Sequence, residues 1–141
     1  VTLINFEPFR KPIGYLIFGG VFDRHLNVQV VFAEGGLGWV LAWLQDAELV
    51  FATYDTLLDP IAHRPSHYWR NNCHATFQAD ALGLAHLDIL GADRVMWASD
   101  YPHPASTWPN SKEVIDRQLV GVSPATRQKL LVDNARKLYR L

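Results

Sequence analysis

The chain has 141 residues, 49% of them hydrophobic and 19% charged, and a formal net charge of -1. This composition excludes intrinsic disorder. The near-zero net charge provides no electrostatic attraction for nucleic acid or for an anionic membrane. The single cysteine, Cys73, excludes an internal disulfide, and no apolar run approaches the ~20 residues of a membrane span. We therefore expect one cytoplasmic domain over residues 1–141.

The first half of the chain predicts a helix, a strand and a second helix. Pro12 suits the first turn of a helix whose apolar side chains recur at helical spacing, and the helix continues to Arg24. Residues 28–33 are a short, apolar and β-branched run, which is typical of a strand in a parallel sheet. The second helix begins at about Leu37, and residues 59–71 are predicted to form a loop because they contain proline, histidine and serine.

The second half repeats this alternation. Residues 72–77 and 94–98 are predicted strands. Asp80 is the predicted N-cap of a helix over residues 81–90 that buries Leu82, Leu87 and Leu90. A proline-rich loop over residues 101–109 follows the third strand. Strands of the buried type that alternate with helices predict the α/β class, with βαβ units and a parallel sheet.

Two helices are predicted at the carboxyl end. Asn110 with Glu113 three residues later fits a capping box. Ser123 followed by Pro124 fits an N-cap with proline at the first helical position, and Leu130 and Asn134 mark the inward face of this last helix.

Polar side chains that could take part in catalysis or metal binding follow two of the predicted strands. Glu34 follows the first strand, Asp100 follows the third, and His103 lies three residues after Asp100. Sites in α/β proteins form at the carboxyl ends of the strands, where a carboxylate binds a metal or acts as a base and an imidazole acts as a ligand or acid. The alternatives are a turn or cap residue for Asp100, a solvated loop residue for Glu34 and a structural loop residue for His103.

Several other residues are given less weight. Tyr101 and Trp108 lie in the loop after the third strand and are placed to line a substrate pocket. Cys73 and His74 lie within a strand and are interpreted as packed side chains. Pro65 argues against a helical metal pair of His63 and His67. The sequence contains no phosphate-binding glycine loop, H-E-x-x-H or paired C-x-x-C, which excludes the nucleotide-binding, zincin and zinc-finger classes.

Four segments resemble the carboxyl-terminal part of the amidohydrolase-related family, which includes aminocarboxymuconate-semialdehyde and dihydroxybenzoate decarboxylases. They are residues 22–40, 66–80, 91–111 (with W-A-S-D-Y-P-H-P) and 134–139. The resemblance implies about three βα units, strands six to eight, of a (β/α)8 TIM barrel. It also implies a divalent metal, zinc or manganese, for which Asp100 is a ligand or proton-transfer residue. Glu34 stands where the decarboxylases often carry histidine.

The resemblance also implies that most metal ligands are missing. The family supplies an H-x-H or E-x-H pair from the first strand and a histidine from the fifth, and this chain has no H-x-H. The chain begins with Val1, and Met96 is its one methionine, so we expect an N-terminus that is processed, trimmed or cut from a longer protein. A whole barrel typically needs ~250 residues.

Two functions remain open at this point. The first is a carboxyl-terminal part of a metal-dependent hydrolase or decarboxylase of a small carboxylated or cyclic substrate, incomplete as a catalyst alone. The second is a non-catalytic partial-barrel protein that self-associates into a homo-oligomer through its open sheet edges.

Overall fold

Three parallel strands form the centre of the protein in a computed structural model that describes residues 9–54, 56–57 and 59–141. The strands are β1 (Val30–Phe32), β2 (Cys73–Phe77) and β3 (Val95–Trp97), and β2 lies in the middle. Val30 pairs with Cys73, and Ala75 pairs with Val95, both in parallel register. The predicted parallel sheet is confirmed.

The described ranges contain nine α-helices, which lie before, between and after the strands in the chain. They are α1 (Arg10–Phe18), α2 (Val21–Arg24), α3 (Gly38–Thr53), α4 (Pro65–Asn72), α5 (Ala81–Ala85), α6 (Leu87–Leu90), α7 (Ser111–Gln118), α8 (Pro124–Gln128) and α9 (Asn134–Tyr139). A 3-10 turn over Ala92–Arg94 leads into β3, and a π-helical turn over Lys129–Asp133 joins α8 to α9. No helix in these ranges is long and apolar enough to cross a membrane.

The two faces of the sheet differ because successive side chains of a strand alternate in direction. In β2, Cys73, Ala75 and Phe77 belong to the main hydrophobic core, which α1, α3 and α4 complete. The core residues of these helices include Ile13, Ile17, Val40, Trp43, Leu44 and Trp69. His74 and Thr76 point to the other face, His74 beside Val31 of β1 and Thr76 beside Met96 of β3.

The carboxylate of Asp80 holds the amino ends of α3 and α5 together. Its Oδ1 accepts a hydrogen bond from the Gly83 N–H at 2.7 Å, which confirms Asp80 as an N-cap. Its Oδ2 accepts from the Leu37 N–H at 2.5 Å and from the Gly38 N–H at 3.3 Å. Helix amino ends carry unpaired N–H groups and partial positive charge, so this one carboxylate stabilises two helices.

The predicted single helix from Pro12 to Arg24 is wrong, because α1 ends at Phe18 and α2 begins at Val21. Between them Gly20 has a φ of 64°, in the left-handed region. A residue in that conformation ends the helical hydrogen-bond ladder, and glycine adopts it without a clash of a Cβ atom.

The predicted loop over residues 59–71 is wrong in its second half, where α4 begins at Pro65. Proline at the first helical position loses nothing, because the N–H there has no partner within the helix. Contacts with distant residues hold the helix in place: Ser66 N–H donates to Glu48 Oε1 at 2.8 Å, and buried Trp69 donates from Nε1 to the Leu90 carbonyl at 2.7 Å.

The predicted helix over residues 81–90 is interrupted at His86, whose φ of -125° is not helical. Leu90 is fully buried as predicted, but Leu82 is 57% exposed. The reason is that Gly83, the next residue in α5, faces the core, and neighbouring side chains on a helix point about 100° apart.

The two predicted caps near the carboxyl end have different outcomes. The capping box at Asn110 is wrong, because Asn110 lacks the extended backbone of an N-cap and its side chain makes no capping bond. The Ser123 cap is confirmed, because its Oγ accepts from the Thr126 N–H at 3.1 Å and Pro124 starts α8.

We predict that Gly83→Ala lowers the free energy of unfolding by about 1–3 kcal/mol, because the added methyl would overlap the buried side chain of Leu37. Gly14→Ala is the matched control: its methyl would meet no atom within 4 Å. It should raise the free energy by about 0.5–1 kcal/mol through helix propensity. Urea unfolding followed by circular dichroism measures both variants, and shifts of the same sign would contradict the Leu37–Gly83 packing.

Candidate active site at the carboxyl ends of the strands

Two acidic residues lie just past the carboxyl ends of β1 and β3, and both have a left-handed backbone. The φ of Glu34 is 62° and that of Asp100 is 61°. Residues other than glycine pay roughly 1–3 kcal/mol for such conformations, and they persist where the surrounding structure holds them. Retained strain of this kind clusters at functional sites, so both positions are site candidates on geometric grounds.

Asp100 lies beside His103. The Asp100 Oδ2 is 3.3 Å from the His103 Nδ1, and the His103 N–H donates to the Asp100 carbonyl at 2.8 Å. The Asp100 side chain is 14% exposed and that of His103 is 60% exposed, so a largely buried carboxylate lies beside an exposed imidazole. The same Nδ1 is 3.3 Å from the Ala105 N–H. A proton on Nδ1 favours the contact with Asp100, and a lone pair there favours the contact with Ala105.

The loop that carries Asp100 is closed by its own hydrogen bonds. The Thr107 N–H donates to the Ser99 carbonyl at 3.0 Å, and the Ser106 N–H donates to the His103 carbonyl at 2.9 Å. Tyr101 and Trp108 pack edge to face, with ring centroids 5.6 Å apart, and each is 63% exposed. The loop therefore presents an aromatic pair to solvent next to the Asp100–His103 pair.

Glu34 lies apart from this pair. Strand β2 separates β1 from β3, and strands are ~4.8 Å apart, so the ends of β1 and β3 are about 10 Å from each other. Sequence reasoning missed Thr76 of β2, whose Oγ1 accepts from the Glu34 N–H at 3.0 Å and holds the left-handed turn. The available signal was a hydroxyl side chain near the end of an otherwise apolar strand.

The described ranges contain no group of three or more histidine, cysteine, aspartate or glutamate side chains that could hold a metal ion. Zinc sites in proteins need about four ligands, and here Asp100 and His103 supply at most two. His63 and His67 form a separate pair, whose rings stack with centroids 3.9 Å apart. Burial and the charge of the neighbouring His63 lower the pKa of His67. The donor set at the strand ends therefore fits one corner of a metal site and not a complete one.

Cys73 is not a nucleophile in this structure. Its side chain is fully buried in β2, and burial raises the pKa of its thiol to about 12. The thiolate is the reactive form of cysteine, so a thiol with this pKa is inert near neutral pH. The interpretation of Cys73 as a packed residue is confirmed.

A parallel sheet with acidic side chains at its carboxyl ends is the arrangement of active sites in (β/α)8 barrels. A family profile described as amidohydrolase matches residues 4–141, and this chain belongs to the amidohydrolase family.

Solved structures of similar fold are whole TIM-barrel proteins. An amidohydrolase from Mycobacterium avium subsp. paratuberculosis matches with a TM-score of 0.82 and 24% identity, over 97% of this chain and 34% of that chain. The 5-carboxyvanillate decarboxylase of Sphingomonas paucimobilis matches with 0.75 and 22%, over 89% and 38%. A dihydroxybenzoic acid decarboxylase from a Polaromonas species, with bound manganese and the inhibitor 2-nitroresorcinol, matches with 0.74 and 16%, over 96% and 41%.

This chain therefore spans between about a third and two fifths of the length of these proteins. The expected fold, three βα units of the TIM barrel, is confirmed.

We predict that Asp100→Gly is more stable than Asp100→Ala by about 1 kcal/mol, because glycine adopts a positive φ without the Cβ clash that alanine suffers. The control is the same pair at Asp116, within α7, where the order should reverse by about the same amount. Thermal or urea unfolding of the four variants tests this. If alanine were the more stable variant at both positions, Asp100 would not have the left-handed backbone.

Proposed function

We propose that this chain supplies the carboxyl-terminal part of the active site of a metal-dependent decarboxylase or hydrolase that acts on a small carboxylated or cyclic substrate. The observation that carries the proposal is the Asp100–His103 pair, 3.3 Å apart on a strained strand end beside an exposed aromatic pair. Membership of the amidohydrolase family and the likeness to two decarboxylases support the same class. We place the protein in the cytoplasm as part of this proposal.

Both reactions need a group that moves a proton at this edge of the sheet. Decarboxylation of a ring requires proton delivery to the carbon that loses carbon dioxide, and hydrolysis requires proton delivery to the leaving group. The His103 imidazole performs this step in the proposal, because it is exposed to a substrate and one of its nitrogens faces Asp100. Asp100 orients the ring. The shared step explains why these residues alone do not separate the two reactions.

The aromatic pair supports a flat substrate. Tyr101 and Trp108 leave most of their ring surface exposed, and exposed aromatic faces bind rings by stacking. The Polaromonas relative binds 2-nitroresorcinol, a flat ring with polar substituents. In the proposal Glu34, which follows β1 on the other side of β2, contacts a polar substituent at the other end of such a ring.

The proposal includes a divalent metal, zinc or manganese, for which this chain supplies only some of the ligands. Asp100 supplies one carboxylate ligand, and the remaining ligands come from outside the described residues. The Polaromonas relative, which has bound manganese, supports the choice of metal. An H-x-H pair encoded roughly two hundred residues ahead of Val1, where a barrel of ~250 residues would place its first strand, would supply such ligands.

We predict that the 141-residue chain binds manganese or zinc far below one ion per chain after dialysis and has little turnover, because most ligands are missing. Added Mn²⁺ should still broaden the amide NMR signals of Ser99, Asp100, Tyr101 and His103, since the ion is paramagnetic and Asp100 attracts it. Asp100→Asn should abolish the broadening, and Glu113→Gln, which removes a carboxylate from α7, should leave it unchanged. One tightly bound ion per monomer would contradict the partial site.

A second candidate function is self-association, favoured by the open edges of the sheet. In the part of the chain that the structure describes, β1 and β3 each pair with β2 alone, so each leaves one edge unpaired. Unpaired edges are templates for pairing with another chain. We propose that a second copy occupies them when no other barrel strands are present.

Size-exclusion chromatography with light scattering tests this second candidate. We expect a dimer or larger species at micromolar concentration, and we expect Val31→Lys, which places a charge on the edge strand β1, to shift it toward monomer. Val120→Lys is the control, because Val120 is 80% exposed and lies outside the sheet. A monomer at all concentrations would exclude self-association.

A further inference from the structure

The connection between α3 and α4 is attached to α2 and α4 by one carboxylate and one phenol. The Ala62 N–H donates to the Asp23 Oδ2 at 3.1 Å, and the His63 N–H donates to the Tyr68 hydroxyl oxygen at 3.0 Å. That hydroxyl donates in turn to the Asp23 Oδ1 at 2.6 Å, and Tyr68 is only 2% exposed. Two successive backbone groups of the connection therefore depend on the Asp23–Tyr68 pair.

Two imidazoles lie beside this attachment. The rings of His63 and His67 stack with centroids 3.9 Å apart and an interplanar angle of 25°. Each packs edge to face against the Tyr68 ring, at 6.0 and 5.7 Å. Both histidines are exposed, so protons from solvent reach them. The lone pairs of the ring nitrogens lie in the ring planes, so two nearly parallel rings do not direct them at one metal ion. The stack is therefore suited to bind protons and not to chelate a metal.

The stack opposes a second positive charge. Two imidazolium rings at this distance repel each other, and solvent does not fully remove the repulsion of charges about 4 Å apart. His67 is the third residue of α4, and the first turn of a helix already carries partial positive charge. Burial and the charge of His63 lower the pKa of His67 from its ordinary value of 6.5. The pair therefore takes up its second proton less readily than its first.

The other charged groups around the pair come from α2, α3 and the connection itself. Burial opposes the ionisation of Asp23, but the hydrogen bonds of Tyr68 and Ala62 and the charges of His63 and Arg24 outweigh it and lower its pKa. The charge of Asp23 acts on His67 as well, in the direction that favours a proton. Arg24 donates to the Gly19 carbonyl at 2.9 Å, and Arg64 forms an ion pair of 2.7 Å with Glu48. Asp23 therefore stays ionised near pH 5 and favours the first proton on the pair.

We propose that the His63–His67 stack is a pH-operated latch on the connection between α3 and α4. With at least one ring neutral, the rings stay stacked and residues 61–63 stay bound to Asp23 and Tyr68. With both rings protonated, the rings separate and residues 61–63 are released. Because the closed latch favours neutral His67, the contribution to stability is complete above the ordinary pKa of 6.5 and is lost as the pH falls below it. Neither histidine belongs to the candidate active site, so the latch does not depend on the function proposed there.

Amide hydrogen exchange of the full 141-residue chain, followed by NMR near pH 7 and near pH 5, tests the latch. The protection factors of the Ala62 and His63 amides, which correct for the pH dependence of exchange itself, should fall by about tenfold at the lower pH. The Arg127 amide is the control, because it donates to the Ser123 carbonyl at 2.8 Å in α8, a helix without histidine. Equal protection of Ala62 and His63 at both pH values would overturn the proposal, and so would an equal loss at Arg127.

Three variants assign the effect to the two rings. His67→Gln and His63→Gln each leave one ring to protonate, so in each variant the protection of Ala62 should no longer change between the two pH values. His86→Gln is the control, because it removes a partly exposed histidine from the end of α5 and should keep the tenfold loss. A loss that persists in either stack variant, or that disappears in His86→Gln, would contradict the latch.

The titration of His67 provides a second readout that does not depend on hydrogen exchange. The imidazole ¹H and ¹⁵N resonances should give a pKa of His67 below 6.5 in the unmodified chain. In His63→Gln this pKa should rise toward 6.5, because the neighbouring charge is removed. The same pKa in both chains would show that the rings do not share their charge, which would also overturn the proposal.

Discussion

Two helix amino ends meet at the Asp80 carboxylate, and the arrangement of the turns at the carboxyl ends of the strands depends on this interaction. Helix α3 follows β1 and α5 follows β2, so this carboxylate ties together the turns after two neighbouring strands. The helices meet this closely because Gly83 has no side chain where it contacts Leu37. Glu34 lies in the first of these turns and Thr76 lies in β2 just before the second, so this packing contact helps to position the Glu34 part of the candidate site.

The sheet separates its charges between its two ends. Acidic side chains, Glu34 and Asp100, follow the carboxyl ends of the strands, and basic side chains such as Arg94 lie at the amino ends. Catalysis in barrels of this kind is confined to the carboxyl ends, because the loops there vary while the amino ends stabilise the fold.

Local patterns predicted the parts of this structure that depend on neighbours along the chain. The three strands, the Asp80 and Ser123 caps and the burial of Cys73 all follow from residue type and spacing. The prediction failed where distant contacts decide the outcome. Helix α4 looked like a loop because Pro65 and Ser66 are turn formers. The helix is stabilised by Glu48 and Leu90, which are 18 and 21 residues away from their partners. The contact of His74 with Gln29, 45 residues away, likewise has no signal in any local pattern.

The candidate site was partly predictable for the same reason. Asp100 and His103 are three residues apart, so sequence spacing alone suggested their contact. The left-handed backbone of Asp100 and Glu34 could not be predicted in this way, because glycine is the residue that signals such a conformation and neither residue is glycine. The backbone of Asp100 is held by the local Ser99–Thr107 and Asp100–His103 contacts, and that of Glu34 by the hydroxyl of Thr76, 42 residues away. None of these bonds requires a residue outside the three βα units. This part of the site is therefore organised before any further strand or ligand is added, and a complete site would gain affinity because the entropy of ordering these side chains is already offset by the fold.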